Sequence, residues 1–185
     1  MDASLVLAAM TGITLAAACG LRAFLPPLAL GLAARFGVLQ LGPSFAWLSS
    51  DPALVALGLA TVVEIAADKF PIVDHALDVA GTVLRPAAAA VVALGVLPHL
   101  PVPIGALLAV ACGAGALGVH ALKAKTRLGS TALTLGHLNP LLSLAEDGVT
   151  LALTAAAVLI PLAAFALLLG ILWLMLRRRP AHGEA

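Results

Sequence analysis

Tyrosine is absent from this 185-residue chain, and aromatic residues of any kind make up only 4% of it. Interior packing must therefore rest on small and branched aliphatic side chains rather than on rings. Charge is equally scarce. Asp, Glu, Lys and Arg account for 10% of residues against 62% hydrophobic, and no ordinary soluble core needs that balance. With a formal net charge of +1, the chain has no overall attraction for nucleic acid. Its two cysteines, Cys19 and Cys112, lie in Ala/Gly surroundings and read as small buried residues rather than as a disulfide or metal pair. Catalytic signatures are missing as well: there is no HExxH, no paired CxxC, no GxSxG, no Walker loop and no Rossmann fingerprint in a strand–helix setting. His75, His120 and His137 have no zinc spacing. An enzyme is thus the last reading, with no catalytic residue, cofactor or resident metal expected.

What is present is Leu, Ala, Val and 17 Gly, at a mean hydropathy of +1.12, the composition of helices that pack closely in a lipid bilayer. Leu15–Cys19 has the outline of a lipoprotein cleavage site. No basic residue precedes that run, however, and Met1-Asp2 is acidic, so the N-terminus reads as a retained helix. Apolar segments cover Leu5–Cys19, Ala23–Leu41, Pro52–Ala67, Ala76–Leu97, Val102–Leu122, Ser130–Leu144 and Val149–Leu176. A bilayer core takes about 20 helical residues. The expected fold is an all-α polytopic transmembrane bundle of about seven segments. Ser130–Leu144, short and polar, either crosses or forms a broken or re-entrant segment. Val149–Leu176 would be about 42 Å long as a straight helix, so tilt or a kink at Pro161 is expected. If all seven segments cross, Arg22, Lys69, Lys123, Lys125, Arg127 and Arg177–Arg179 fall on one side, and only Arg35 is out of place. The positive-inside rule then sets the C-terminus in the cytoplasm. Residues 1–176 form a single transmembrane domain and 177–185 a short basic tail.

Polar residues concentrate in two places. Four of the nine acids fall between Glu64 and Arg85. Glu64 and Asp68 share a helix face and could bind a cation or carry a proton; Lys69 or Arg85 could instead neutralise them. Asp74 and Asp78 suit the first turn of a helix. Arg85 lies deep in apolar context before Pro86 and requires a partner: Asp78, Glu64 or an anionic substrate. The second cluster contains His120, Lys123, Lys125, Thr126, Arg127, Ser130, Thr131, Thr134, His137, Asn139, Ser143, Glu146 and Asp147. Its hydroxyls before Asn139-Pro140 suggest irregular backbone lining a cavity, or a polar surface loop. The runs Arg22-x5-Leu28-x-Leu30-Gly31 and Arg127-x5-Leu133-x-Leu135-Gly136 match at an offset of 105 and leave room for an internal repeat of the transporter kind. The match of Ala18–Gly20 to Ala111–Gly113 at a different offset argues against it.

The runs Gly20–Pro27, Glu64–Asp74, Gly81–Pro86 and Lys123–Arg127, continuing to Ser130-Thr131, Asn139-Pro140, Ser143, Glu146 and Asp147, resemble the domain of unknown function 4126 family of bacterial membrane proteins. The resemblance implies an integral membrane protein, and the expected location is the bacterial cytoplasmic (inner) membrane. It brings no activity with it.

The expected function is a small secondary transporter or facilitator. Glu64 and Asp68 would be the ion or proton sites, and Arg22, Arg85 and Arg127 would hold an anionic substrate or exchange ion pairs. Asp78, Lys123, Ser130, Thr131, Asn139, Glu146 and Asp147 complete the candidate binding set. The alternatives are a non-transporting scaffold that binds a partner and a flippase that grips anionic lipid headgroups. A chain this small often needs a second copy to wall off a path, so a homodimer is the expected assembly.

Overall fold

Proline marks the start of most helices in the computed structural model, which describes residues 3–68, 71–97, 100–135 and 137–177; the side chains of 71–76 and 174–176 lie outside the description. Proline is tolerated in a first turn because its missing N–H would have had no partner there. The helices are α1 (Ala3–Cys19), α2 (Leu25–Arg35), a 3-10 helix (Pro43–Ser49), α3 (Asp51–Ala67), α4 (Pro71–Gly95), α5 (Val102–Thr134), α6 (Asn139–Leu159) and α7 (Pro161–Arg177). Ser50 caps α3 by accepting from the Ala53 N–H at 3.4 Å. Two ends use the left-handed region: Gly37 just past α2 has φ +73, and Leu135 just past α5 has φ 53.

α1 is the axis of the bundle and contacts α2, α4, α5, α6 and α7. Its buried face, Leu15, Ala16 and Cys19, meets Leu30, Ala89, Val92, Ala93, Ala116, Ala157 and Ala164. Small residues let the backbones approach, as packing in lipid requires. A methyl group on Gly20 would come within 2.6 Å of the Ala116 carbonyl oxygen, so α1 and α5 touch through backbone there. Outward-facing side chains are apolar: Val102, Leu107, Val110, Leu128 and Leu133 on α5 are all exposed. Such a surface belongs in lipid rather than water, and the protein is a multi-pass membrane protein.

The all-α architecture agrees with the sequence; the expected seven segments do not. Among the described residues three helices are long and apolar enough to cross a membrane: Leu77–Gly95 within α4, α5 and α6. The 3-10 helix and α3, bent by 63° at their junction, would make a fourth if they form one span. α1 and the apolar part of α7 are shorter, and α2, expected to run from Ala23 to Leu41, has only 11 residues. The fifth and sixth expected segments begin to merge: α5 runs unbroken through Lys123–Arg127 to Thr134. The reason is that Lys123 and Arg127, one turn apart, turn inward to acidic partners and need no interfacial loop. Ser130–Leu144 is accordingly not one continuous segment. It is the end of α5, a turn and the start of α6, with Asn139-Pro140 opening α6 rather than breaking a helix. At Pro161, where tilt or a kink was expected within one long segment, the helix is instead interrupted: Ile160 leaves helical geometry and Pro161 begins α7. The matched runs of the proposed repeat fold differently. Arg22 precedes α2 in a turn, Arg127 lies inside α5, and Gly136 is outside the described residues.

Candidate functional site

A buried network of ion pairs and hydrogen bonds among Arg, Lys, Asp and Glu side chains lies within the membrane helices. Asp68, which caps the C-terminal end of α3, is its hub. One oxygen, Oδ2, receives Arg22 Nη2 at 2.6 Å, Arg127 Nη2 at 2.8 Å and the Ser143 hydroxyl at 2.9 Å. Its side chain is 4% exposed, so three donors replace the water it has lost. Each arginine also has a second carboxylate. Arg22 Nη2 lies 2.5 Å from Asp147 Oδ1, and Arg127 Nη2 lies 2.9 Å from Glu146 Oε2. Lys123 Nζ shares that Glu146 oxygen at 3.2 Å. Arg22 is the largest fully buried side chain, and it also donates to the Glu64 carbonyl at 3.2 Å and to Ser143 Oγ at 3.3 Å. Residues from the α1–α2 turn, the end of α3, the middle of α5 and the second turn of α6 are thereby joined.

Glu64, an expected cation or proton site, is engaged by backbone donors. Its carboxylate accepts from the Ala23 N–H at 2.9 Å and the Phe24 N–H at 3.3 Å, which places it at the start of α2. That helix has Pro26 and Pro27 in its first turn, so two of the N–H groups normally left over at a helix start do not exist. Glu64 takes two donors just ahead of them and places negative charge on the positive end of the helix. Arg85 lies beside it, with Nη2 4.0 Å from Glu64 Oε1 and 3.6 Å from Asp78 Oδ1. Arg85 Nη1 donates to the Gly20 carbonyl at 3.0 Å and contacts His120 Nδ1. An arginine has only donors, so His120 Nδ1 accepts and its ring proton sits on Nε2. Gly81 makes the room: a methyl group there would lie 2.9 Å from Arg85 Nε. Arg85 Nε itself has no partner among the described residues.

Nine of the twelve candidates named from the sequence thus fall in one connected array: Arg22, Glu64, Asp68, Asp78, Arg85, Lys123, Arg127, Glu146 and Asp147. Asn139, Ser130 and Thr131 lie apart. Asn139 Nδ2 donates to Thr131 Oγ1 at 3.0 Å, and Thr131 donates to the Arg127 carbonyl at 2.9 Å, closing the turn between α5 and α6. Ser143 and His120, grouped in the second polar cluster but not named as ligands, belong to the array. One signal could have placed both: His120, Lys123 and Arg127 share a helix face at spacings of three and four, as do Ser143, Glu146 and Asp147. Lys69 and the side chains of Asp74 and His75 lie outside the described residues.

The sequence model of the family described as Domain of unknown function (DUF4126) matches residues 9–180. The chain belongs to that family. The match takes in every residue of the network and bears out the resemblance carried by the Gly20–Pro27, Glu64–Asp74 and Lys123–Asp147 runs. No curated protein and no solved structure matches the chain. In this DUF4126 member a cavity of about 260 Å³ adjoins the network. Lys123, Thr126 and Glu146 lie at its polar side, and α1, α6 and α7 supply apolar walls.

Proposed function

We propose that the protein is a small secondary transporter or facilitator of the bacterial cytoplasmic membrane, not an enzyme, in which the buried ionic network is the moving part. The observation that carries this reading is the sharing of Asp68 Oδ2 by Arg22 and Arg127 while Asp147 and Glu146 stand by as second partners. Each guanidinium can leave Asp68 and keep a carboxylate. Partner exchange therefore avoids the main obstacle to moving charge at membrane depth, a bare buried ion. In this scheme protonation or cation binding at Asp68 releases the arginines, and a small anion takes the vacated guanidinium. Glu64 holds the start of α2 while Arg85 senses the change through it. Residues 1–176 form the transporting domain, and the basic tail from Arg177 is cytoplasmic. Arg177 over the Trp173 ring at 4.7 Å suits a helix end at a membrane interface, and the positive-inside bias assigns the side.

Proteoliposomes with a trapped pH dye and a panel of small labelled anions test the reading. Wild-type protein should give proton-coupled anion flux, and Asp68→Asn should abolish the coupling while the protein still inserts and remains monodisperse. Absence of any flux above empty liposomes across the panel, for folded protein, defeats it.

The completeness of the pairing favours a second reading, a scaffold whose network holds helices together and presents them to a partner subunit or a second copy. Substitutions in the network would then cost stability first, and a defined partner would co-purify.

A further inference from the structure

We infer that the slot between α5 and α7 holds an acyl chain of a membrane phospholipid whose phosphate takes Lys123. Two cavities, of about 260 and 310 Å³, share Ala17, Val119, Leu168 and Leu172 and so form one continuous slot. α1 is its floor, and α5 and α7 are its sides. Along α5 it runs from Leu108 to Lys123, about 22 Å at 1.5 Å per residue, longer than half of a roughly 30 Å bilayer core. The lining is aliphatic apart from the Cys112 thiol, and small residues such as Ala111 and Gly115 keep it open. Only one end is charged: Lys123, with its side chain 1% exposed, faces Glu146 there.

A long apolar channel whose one charged end is the Lys123–Glu146 pair matches an amphiphile with one extended chain and an anionic head that takes over the lysine. Lys123 is free to turn to a phosphate, because Glu146 keeps Arg127 at 2.9 Å when Lys123 leaves. Lys123 also donates to the Leu21 carbonyl at 3.5 Å, a long bond that a phosphate oxygen readily replaces. The inference goes beyond the transport reading and does not depend on it: a resident lipid fits a transporter and a scaffold equally.

Gly115 offers a clean test. A Cβ there has no atom within 4 Å, and leucine is a better helix former than glycine, so Gly115→Leu narrows the slot without disturbing the fold. The full chain is delipidated in detergent, supplied with palmitoyl-oleoyl phosphatidylglycerol or the matching diacylglycerol, and weighed by native mass spectrometry. Wild-type protein should retain one phosphatidylglycerol per chain in preference to diacylglycerol. Gly115→Leu should bind it about tenfold more weakly, the loss expected when about two methylenes are displaced, with a melting temperature no lower than that of the wild type. Lys123→Gln should erase the preference for phosphatidylglycerol over diacylglycerol. Equal retention by wild type and Gly115→Leu overturns the inference. So does a wild-type dimer that Gly115→Leu splits while bound lipid is unchanged, which would give the slot to a second copy of the chain. Anion flux plays no part in this readout, so its presence or absence leaves the result untouched.

Discussion

Asp68 ties the two arginines of the network together, because one of its oxygens answers two guanidinium groups and a hydroxyl. Removing one partner of a buried ion pair costs about 3–5 kcal/mol when the remaining charge stays unpaired. Arg22 and Arg127 retain Asp147 and Glu146, so the low end of that range applies. Asp68→Asn should lower the unfolding midpoint in detergent more than Asp147→Asn, since Asp147 has a 23% exposed side chain and, among the described residues, one cationic partner. The opposite order would mean that Asp147 is the hub. Glu64 permits a second comparison. Gln at this position can still accept from the Ala23 N–H, whereas Ala cannot. Glu64→Ala should therefore lie about 1 kcal/mol below Glu64→Gln, the usual worth of a helix cap, read from the same unfolding curves. Sequence reasoning named Glu64 and Asp68 together as ion or proton sites and did not single out Asp68 as the meeting point of two arginines. Position misled it: a residue at a helix end reads as near water, but three other elements cover Asp68.

At the scale of elements, the least legible feature was the continuity of α5. Lys123, Lys125 and Arg127 carry the composition of an interfacial loop, and a positive-inside argument treats them that way. Only their spacing shows otherwise. Positions 123 and 127 fall on one helix face with His120, whereas Lys125 falls elsewhere and is exposed. A loop would absorb a proline at Ala124; the interior of a helix would not. Ala124→Pro should cost about 3 kcal/mol or more and broaden the unfolding transition. A neutral outcome would restore the loop. The ends of α1, α3 and α4 were legible because Pro52, Gly95 and the Gly20 turn punctuate them. The short span of α2 was not, because its apolar sequence continues past Arg35 although the helix ends there, ahead of the left-handed Gly37.

For the molecule as a whole, the arrangement of the charges decides how it answers to salt. Charges on a water-exposed surface are screened within about 8–10 Å at moderate ionic strength, but buried pairs hardly at all. The exposed Arg35–Asp51 pair, at 2.7 Å, is the kind that salt weakens, and it contributes little. The midpoint of thermal unfolding should consequently stay nearly constant between low and high sodium chloride; a large fall would place the network in contact with water. The membrane character of the chain was open to view from composition alone. The number of crossings was not, because an apolar stretch has the same sequence whether it spans lipid alone or lies short against its neighbours.

The network also has an order in time. Chains emerge and fold from the N-terminus, and the partners of Arg22 arrive in stages: the Glu64 carbonyl and Asp68 first, Ser143 and Asp147 last. Arg127 meets Asp68 before Glu146 has been made. Until α6 enters the membrane, two arginines and a lysine must share fewer carboxylates than they finally have. The second turn of α6 thus acts as the closing clasp of biosynthesis. A ribosome-bound chain halted before residue 143 should remain accessible to membrane proteases, and one that has exposed residue 147 should become resistant.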